Sequence, residues 1–146
     1  MSEDRVPDKD HIARLCLPSK IENENIQASA FMLRKDENFL SVNWLEILNC
    51  TDREDEISEI RNVYSAKFTV SKNAKLAVLN VGELCKKVVE KSPDHRMLEV
   101  FHTPIISSGS ELGDPSHSEI YHLMPDHETI AELIVQTIQQ TYPARA

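Results

Sequence analysis

Residues 76–91 read LAVLNVGELCKKVVEK, and this segment restricts the kinds of fold that the chain can adopt. Residues 76–81 are short and almost wholly apolar, which is typical of a central strand with both faces buried. Gly82 follows directly, and the next apolar residues recur at helical spacing while the lysines face water. That apolar stripe consists of Leu84, Cys85, Val88 and Val89. A buried strand that leads straight into an amphipathic helix predicts a sheet covered by helices.

Two apolar segments earlier in the chain have the composition of strands. Residues 26–34 read IQASAFMLR and residues 39–45 read FLSVNWL, with a short polar loop between them. Such a pair predicts a β-hairpin. In the second strand Leu40, Val42 and Trp44 are expected to share one face, because side chains alternate along a strand.

Two further helices are predicted. Residues 51–54 read TDRE and have the form of a capping box, and Ile57, Ile60 and Tyr64 then recur at helical spacing. In the last third of the chain, Asp126 is a suitable N-cap for a helix. The apolar stripe of that helix is expected to comprise Ile130, Leu133, Ile134, Thr137 and Ile138.

The remaining segments carry weaker signals. Residues 67–70 and 96–102 are predicted as short strands, while residues 11–18, HIARLCLP, suit either a helical turn or a strand. Residues 1–10 are polar and are expected to form a flexible arm, which leaves residues 11–146 as a single α+β domain. We predict a small mixed or mostly antiparallel sheet of four to five strands covered by two to three helices.

Charge is distributed unevenly along the chain. The formal net charge is -8, yet residues 61–100 carry 8 bases against 4 acids, whereas residues 1–60 carry 14 acids against 7 bases. A protein that binds a phosphate backbone normally presents a basic face with interleaved aromatic rings, and only Tyr64 and Phe68 lie near the basic segment. The balance disfavours nucleic acid as a generic ligand and favours a protein partner recognised by complementary charge.

The sequence is that expected of a cytoplasmic protein. No apolar run approaches the roughly 20 residues that cross a bilayer, and the acidic N-terminal segment lacks the apolar part of a secretory signal. Cys16, Cys50 and Cys85 are odd in number, widely spaced and beside apolar neighbours. This pattern favours buried free thiols in a reducing compartment, without membrane association.

Residues 101–128 read FHTPIISSGSELGDPSHSEIYHLMPDHE and concentrate groups that titrate near neutral pH. The segment holds four of the six histidines and two of the three glycines of the chain. A long irregular loop in a compact domain is commonly functional, so we expect a site here. The sequence DPSHS at residues 114–118 is the part of the loop expected to matter most.

Metal and cofactor binding find little support in this segment. Its histidines are separated by 15, 5 and 5 residues, without the closely spaced pair of ligands found in zinc sites. His102, His117 and a carboxylate such as Asp114 could still meet in space, but we expect no metal. We also expect no cofactor, because residues 106–113, ISSGSELG, lack the spacing and the lysine of a P-loop.

Acid–base catalysis needs fewer residues than a metal site. His117 offers an acid or base, Asp114 can orient it, and Ser116 or Ser118 supplies a hydroxyl group. With His102 these residues form the candidate catalytic set of a small hydrolase or transferase. The same residue types are also typical of any tight turn, and we favour that interpretation.

Two further residue types are candidates for binding. Arg96 or Arg34 would serve as an anion clamp in the alternative enzyme. Trp44, the only tryptophan, is expected in the core, but if exposed it would anchor a partner. Because cofactor motifs, a nucleophile elbow and paired metal ligands are missing, we predict an accessory protein that docks on another macromolecule. Its charge-segregated surface and residues 101–128 would form the contact.

Overall fold

A seven-stranded antiparallel sheet organises the part of the chain that the computed structural model describes, residues 4–109, 112–124 and 128–145. The strands in chain order are β1 (Asp4–Arg5), β2 (His11–Cys16), β3 (Ile21–Glu22), β4 (Asn25–Ile26), β5 (Leu40–Trp44), β6 (Lys75–Asn80), β7 (Glu99–His102), β8 (His117–Tyr121) and β9 (Ile138–Pro143). The main sheet has the order β1-β7-β8-β5-β2-β6-β9, and β3 pairs with β4 separately. The α+β class is confirmed, but the described sheet has more strands than the four to five predicted.

Helices cover the two faces of the sheet unequally. The described α-helices are α1 (Arg53–Lys67), α2 (Val81–Lys91) and α3 (Glu128–Val135), and short 3₁₀ helices lie at Pro18–Lys20, Ala28–Phe31 and Glu46–Leu48. The larger core joins one face of the sheet to α2 and α3, whereas the smaller core lies between the other face and α1. Alternation along β2 illustrates the division, since Ile12 belongs to the larger core and Ala13 to the smaller one.

The predicted strand and helix at residues 76–91 are confirmed. Strand β6 lies between β2 and β9, and both of its faces are buried as its composition predicts. Helix α2 starts at once, because the side chain of Asn80 accepts a hydrogen bond from the amide of Glu83 at 2.8 Å. Gly82 permits a close approach at this point, since a Cβ atom there would lie 2.9 Å from the carbonyl oxygen of Asp8.

The N-terminal segment that was expected to be a flexible arm is described from residue 4 onward. Strand β1 pairs with β7 at the edge of the sheet, and Val6 is fully buried in the larger core. The amide of Gly82 donates to the carbonyl oxygen of Asp8 at 2.9 Å. Residues 4–10 therefore contribute hydrogen bonds and apolar contacts to the domain.

The predicted hairpin between residues 26–34 and 39–45 is wrong. Strand β5 is present in the second segment, but most of the first segment is a 3₁₀ helix, Ala28–Phe31. Phe31 is fully buried in the larger core, and the 3₁₀ helix packs against α3. The partners of β5 are instead β2 and β8. Packing under α3 prevails over the strand-like composition of the segment.

Three other predictions of secondary structure need correction. Helix α3 ends at Val135, and Ile138, the last residue of its predicted apolar stripe, is the first residue of β9 along the outer edge of β6. The predicted loop at residues 101–128 is interrupted by β8, and residues 103–116 connect β7 to β8. Residues 67–70 form no strand, because Lys67 is the last residue of α1. The predicted N-cap Asp126 lies outside the described residues.

Helix α1 is capped by a different residue from the one predicted. The side chain of Asp52, rather than Thr51, accepts a hydrogen bond from the amide of Asp55, at 2.9 Å. We expect Asp52→Ala to lower the free energy of unfolding by about 1 kcal/mol, because the helix loses this bond. Thr51→Ala is the matched control and should change it by less than about 0.5 kcal/mol. Urea denaturation measures both values, and equal losses would contradict the assignment.

Candidate functional site

The two candidate catalytic histidines point to opposite faces of the sheet. His102 of β7 lies directly across from Ser118 of β8, so these two side chains share a face. His117 precedes Ser118 along β8 and therefore faces the other way. The hydrolase or transferase hypothesis requires His102 and His117 to lie close together, and the structure does not bring them together.

Each histidine has hydrogen-bond partners that attach the 103–116 loop to the sheet. His102 Nε2 lies 2.7 Å from the carbonyl oxygen of Pro115, to which it must donate. His117 Nδ1 lies 3.0 Å from the carbonyl oxygen of Thr103, and its Nε2 lies 3.3 Å from Ser41 Oγ. Nδ1 of His117 therefore carries a proton and donates it to this carbonyl group.

Asp114 and Ser116 lie in a buried polar network with Asn43 of β5. Asp114 Oδ2 accepts from Asn43 Nδ2 at 2.9 Å, and Asp114 Oδ1 accepts from Ser116 Oγ at 2.9 Å. The hydroxyl of Tyr64 on α1 donates to Asn43 Oδ1 at 2.7 Å. Asn43, Asp114 and Ser116 are each at most 3% exposed. The network connects the loop to β5 and α1, and it is closed to a substrate.

The other candidate binding residues are held by local contacts. Trp44 packs against the larger core, as favoured by the alternation of its strand, and its Nε1 donates to Asp10 Oδ2 at 2.9 Å. Ser118 is fully buried, and its hydroxyl donates to the carbonyl oxygen of Ser116. Arg96 donates to the carbonyl oxygen of His122 at 2.8 Å and forms an ion pair with Asp94.

A different surface emerges on the face of the sheet that α1 covers only in part. The smaller core beneath α1 contains side chains of β2 and β6, but none of β7 or β8. On this face Phe39, Phe101 and Tyr121 form a cluster in which the Tyr121 ring lies 5.7 Å from each of the other two rings. All three residues are partly exposed. We call this cluster of Phe39, Phe101 and Tyr121 the aromatic face.

Acidic side chains border the aromatic face. Glu99 lies across from Tyr121, and Glu119 lies across from Phe101. The Tyr121 hydroxyl donates to Glu119 Oε1 at 2.5 Å, while Glu99 Oε1 lies 2.8 Å from His122 Nε2. Arg5 of β1 lies across from Phe101, and its Nη1 lies 3.7 Å from Glu99 Oε2. The rings are therefore presented beside two carboxylates, of which Glu99 already forms an ion pair with Arg5.

Exposed methionines lie at the same end of β7 and β8. Met97 is 72% exposed and Met124 is 52% exposed. Arg96 keeps Met124 in place, because its Nη2 donates to the Met124 sulfur at 3.2 Å. Flexible, polarizable methionine side chains are common on surfaces that bind other proteins.

Sequence reasoning missed the aromatic face, although a signal for it was present. Phe39 precedes Leu40 and so lies on the strand face opposite to Leu40 and Val42, and Phe101 likewise lies on the face opposite to the buried Val100. Aromatic residues at the non-core positions of neighbouring strands are the signal. It becomes specific only when the strand order places β7, β8 and β5 side by side.

Neither metal ligation nor membrane crossing is supported within the described residues. No group of three or more histidine, cysteine, aspartate or glutamate side chains there could hold a metal ion. No helix in the same ranges is long and apolar enough to cross a membrane. No family model, no curated protein and no solved structure matches this chain.

Proposed function

We propose that this chain is a small accessory protein that docks on a protein partner through the aromatic face. The observation that supports the proposal is the cluster of Phe39, Phe101 and Tyr121 outside both cores, with carboxylates at its border. Partly exposed aromatic rings provide large contact area at small entropic cost, and they dominate binding energy at many interfaces.

The chemistry of the surface indicates the kind of partner. Glu119 favours lysine and arginine on the opposing surface, and the electron-rich faces of the rings also attract cations. The net charge of -8 steers a basic partner toward this chain and repels an acidic one. The partner is therefore a protein segment that combines apolar or aromatic anchors with basic residues.

The 103–116 loop extends this docking surface in the proposal. Ile106 is 81% exposed and Leu112 is 50% exposed, and both belong to the loop that follows β7. The bridge between Ile105 and Asp114 keeps the two branches of the loop together. The loop therefore exposes the apolar side chains of Ile106 and Leu112 while the bridge between Ile105 and Asp114 holds its two ends together.

The chemistry of the thiols fits a reducing compartment, and we propose a cytoplasmic location. All three cysteines are free. Burial raises the pKa of Cys16 to about 11, and burial likewise raises the pKa of Cys85 to about 11. Both thiols are therefore protonated at neutral pH and poorly reactive, as suits structural cysteines of a protein without disulfides.

Substitution of the aromatic face tests the docking proposal. We expect Phe101→Ala or Tyr121→Ala to weaken binding to the native partner roughly 30-fold, the effect of losing a contact worth about 2 kcal/mol. The partner is first captured from the native cell with the wild-type chain, and its Kd is then measured with purified proteins by calorimetry.

The matched control is Phe68→Ala, which removes an exposed phenylalanine from the end of α1. It should leave the affinity unchanged within about twofold. Raising the salt concentration should slow association with a basic partner, because screening weakens the attraction of Glu119 and of the net charge of -8. Equal affinities for all three variants, or a partner surface that is acidic, would refute the proposal.

A further inference from the structure

A cavity of about 430 Å³ lies where strands β2 and β5 diverge. The two strands pair only at Ile12↔Trp44 and Ala13↔Asn43, whereas β2 pairs with β6 along all six of its residues. The ladder between β2 and β5 therefore stops, and side chains from both strands and from α1 line the space beyond it. This volume is within the range of sites that bind small organic molecules.

Arg14 bridges the diverging strands through main-chain carbonyl groups. Its Nη1 donates to the carbonyl oxygen of Ser41 at 2.9 Å, and its Nε donates to the carbonyl oxygen of Ala30 at 2.9 Å. Both acceptors are neutral, and within the described residues no carboxylate forms an ion pair with Arg14. Burial lowers the pKa of Arg14; the charge of the nearby Glu37 partly offsets this effect, and Arg34 adds a smaller effect in the direction of burial. The guanidinium is thus a desolvated cation that forms no ion pair with a described carboxylate.

Two more cations line the same cavity. Lys20 and Arg34 are both at its wall, and neither forms a side-chain ion pair with another described residue. One carboxylate, Glu37, also lines the cavity, and its Oε1 accepts from the backbone amide of Arg34 at 2.7 Å. Three bases against one acid leave a local positive excess in a protein whose net charge is -8. Such a local excess selects an anionic ligand.

Apolar and aromatic side chains also line the cavity, among them Leu17, Tyr64 and Phe68. Leu17 is 42% exposed and Phe68 is 46% exposed, and the Phe68 ring lies 5.6 Å from the ring of Tyr64. The Tyr64 hydroxyl is already engaged with Asn43, so Tyr64 offers its ring rather than its donor. Exposed apolar side chains beside a cation cluster fit a ligand with a flat apolar body and a charged end.

We infer that this cavity binds a small organic oxyanion, with its phosphate or carboxylate group on Arg14, Lys20 and Arg34 and its planar body against Phe68. Arginine is suited to this role because its planar fork of N–H donors matches the geometry of both oxyanions. The carbonyl bonds of Arg14 hold the guanidinium in place before the ligand arrives. This inference is independent of the docking proposal, because none of its residues belongs to the aromatic face.

Titration with simple probes tests the inference. Phenyl phosphate, benzoate and neutral phenol are added separately to the ¹⁵N-labelled chain, and amide shifts are followed by NMR. We expect the amides of Ala30, Ser41 and Phe68 to shift with at least one anion and to remain in place with phenol. A response to phenyl phosphate alone assigns the site to phosphate esters, and a response to benzoate alone assigns it to carboxylates.

Charge-matched variants separate a site from a general effect of charge. We expect Arg34→Ala to raise the Kd of the bound anion about tenfold, because one charge-assisted contact is lost. Lys86→Ala removes the same charge from the exposed side of α2, away from this cavity, and should change the Kd less than about twofold. The inference is overturned if neither anion shifts these amides at about 10 mM, or if both variants weaken binding equally.

Discussion

Asn43→Ala is expected to lower the free energy of unfolding by about 3 kcal/mol, because Asn43 is 1% exposed and its side chain serves three partners at once. Asn43 Nδ2 donates to Asp114 Oδ2 at 2.9 Å and to Ser116 Oγ at 2.8 Å, and its Oδ1 accepts from Tyr64. Its removal leaves a buried carboxylate with fewer donors and a tyrosine hydroxyl without its acceptor. Denaturation in urea, followed by tryptophan fluorescence and circular dichroism, measures the loss.

Two variants distinguish the loss of this network from simple loss of packing. Tyr64→Phe removes only the hydroxyl and should cost about 1 kcal/mol. The double variant Asn43→Ala/Tyr64→Phe should lose less free energy of unfolding than the sum of the losses of the two single variants, because both substitutions remove the same hydrogen bond. Additive losses would show that the bond between Tyr64 and Asn43 contributes nothing to stability.

Asn43→Asp adds a test by pH. It places a second carboxyl group beside Asp114, so the folded state is destabilised at neutral pH by the repulsion of two buried like charges. As the pH falls, one of the two groups takes up a proton and the hydrogen bond between them is restored. The variant should therefore approach the stability of the wild type at acid pH and fall further below it as the pH rises. A difference that is independent of pH would contradict this account of the network.

Phe31→Ala is expected to lower the free energy of unfolding by about 3–5 kcal/mol, the range for removing a buried phenylalanine side chain. Phe31 is 0% exposed and occupies the larger core, where the 3₁₀ helix Ala28–Phe31 packs against α3. The surrounding backbone belongs to several separate elements, so collapse around the missing ring is restricted. Chemical denaturation provides the measurement.

Phe68→Ala serves as the control, because it deletes the same ring from a position that is 46% exposed. Its cost should be below about 1 kcal/mol, since less apolar area is lost from contact with the protein. Similar losses for the two variants would mean that Phe31 is not the central packing residue that its burial indicates.

The parts of the fold that were predicted correctly are those where local pattern and tertiary environment agree. The apolar run before Gly82 places apolar side chains on both faces of a strand, and both faces are buried in β6, which lies between two other strands. The spacing of Ile57 and Ile60 placed both on the buried side of α1. In each case the same residues favour the element locally and fill the core after it forms.

The candidate site was harder to predict, because its residues are assembled by strand order. DPSHS was selected for its chemistry, yet Asp114, Ser116 and Ser118 are buried and serve the attachment of the loop. The cavity that we propose binds an oxyanion could have been anticipated from one local feature of the sequence. Arg14 lies on the same face of β2 as Ile12 and Cys16, because side chains two residues apart share a face. Ile12 and Cys16 are fully buried, so a charged residue occupies a core-facing position of its strand.

Local sequence was sufficient to specify β6, α2 and the buried face of α1, because hydrophobic periodicity and capping act within a few residues. Tertiary structure alone settled residues 138–143, because Ile138 belongs to the predicted helical stripe and yet begins a strand that pairs with β6. Without β9 the outer edge of β6 would leave main-chain N–H and C=O groups unpaired, and such a cost depends on the whole sheet. Tertiary structure also decided the aromatic face and the cavity at Arg14, because both form only when β7, β8, β5 and β2 are neighbours in the sheet.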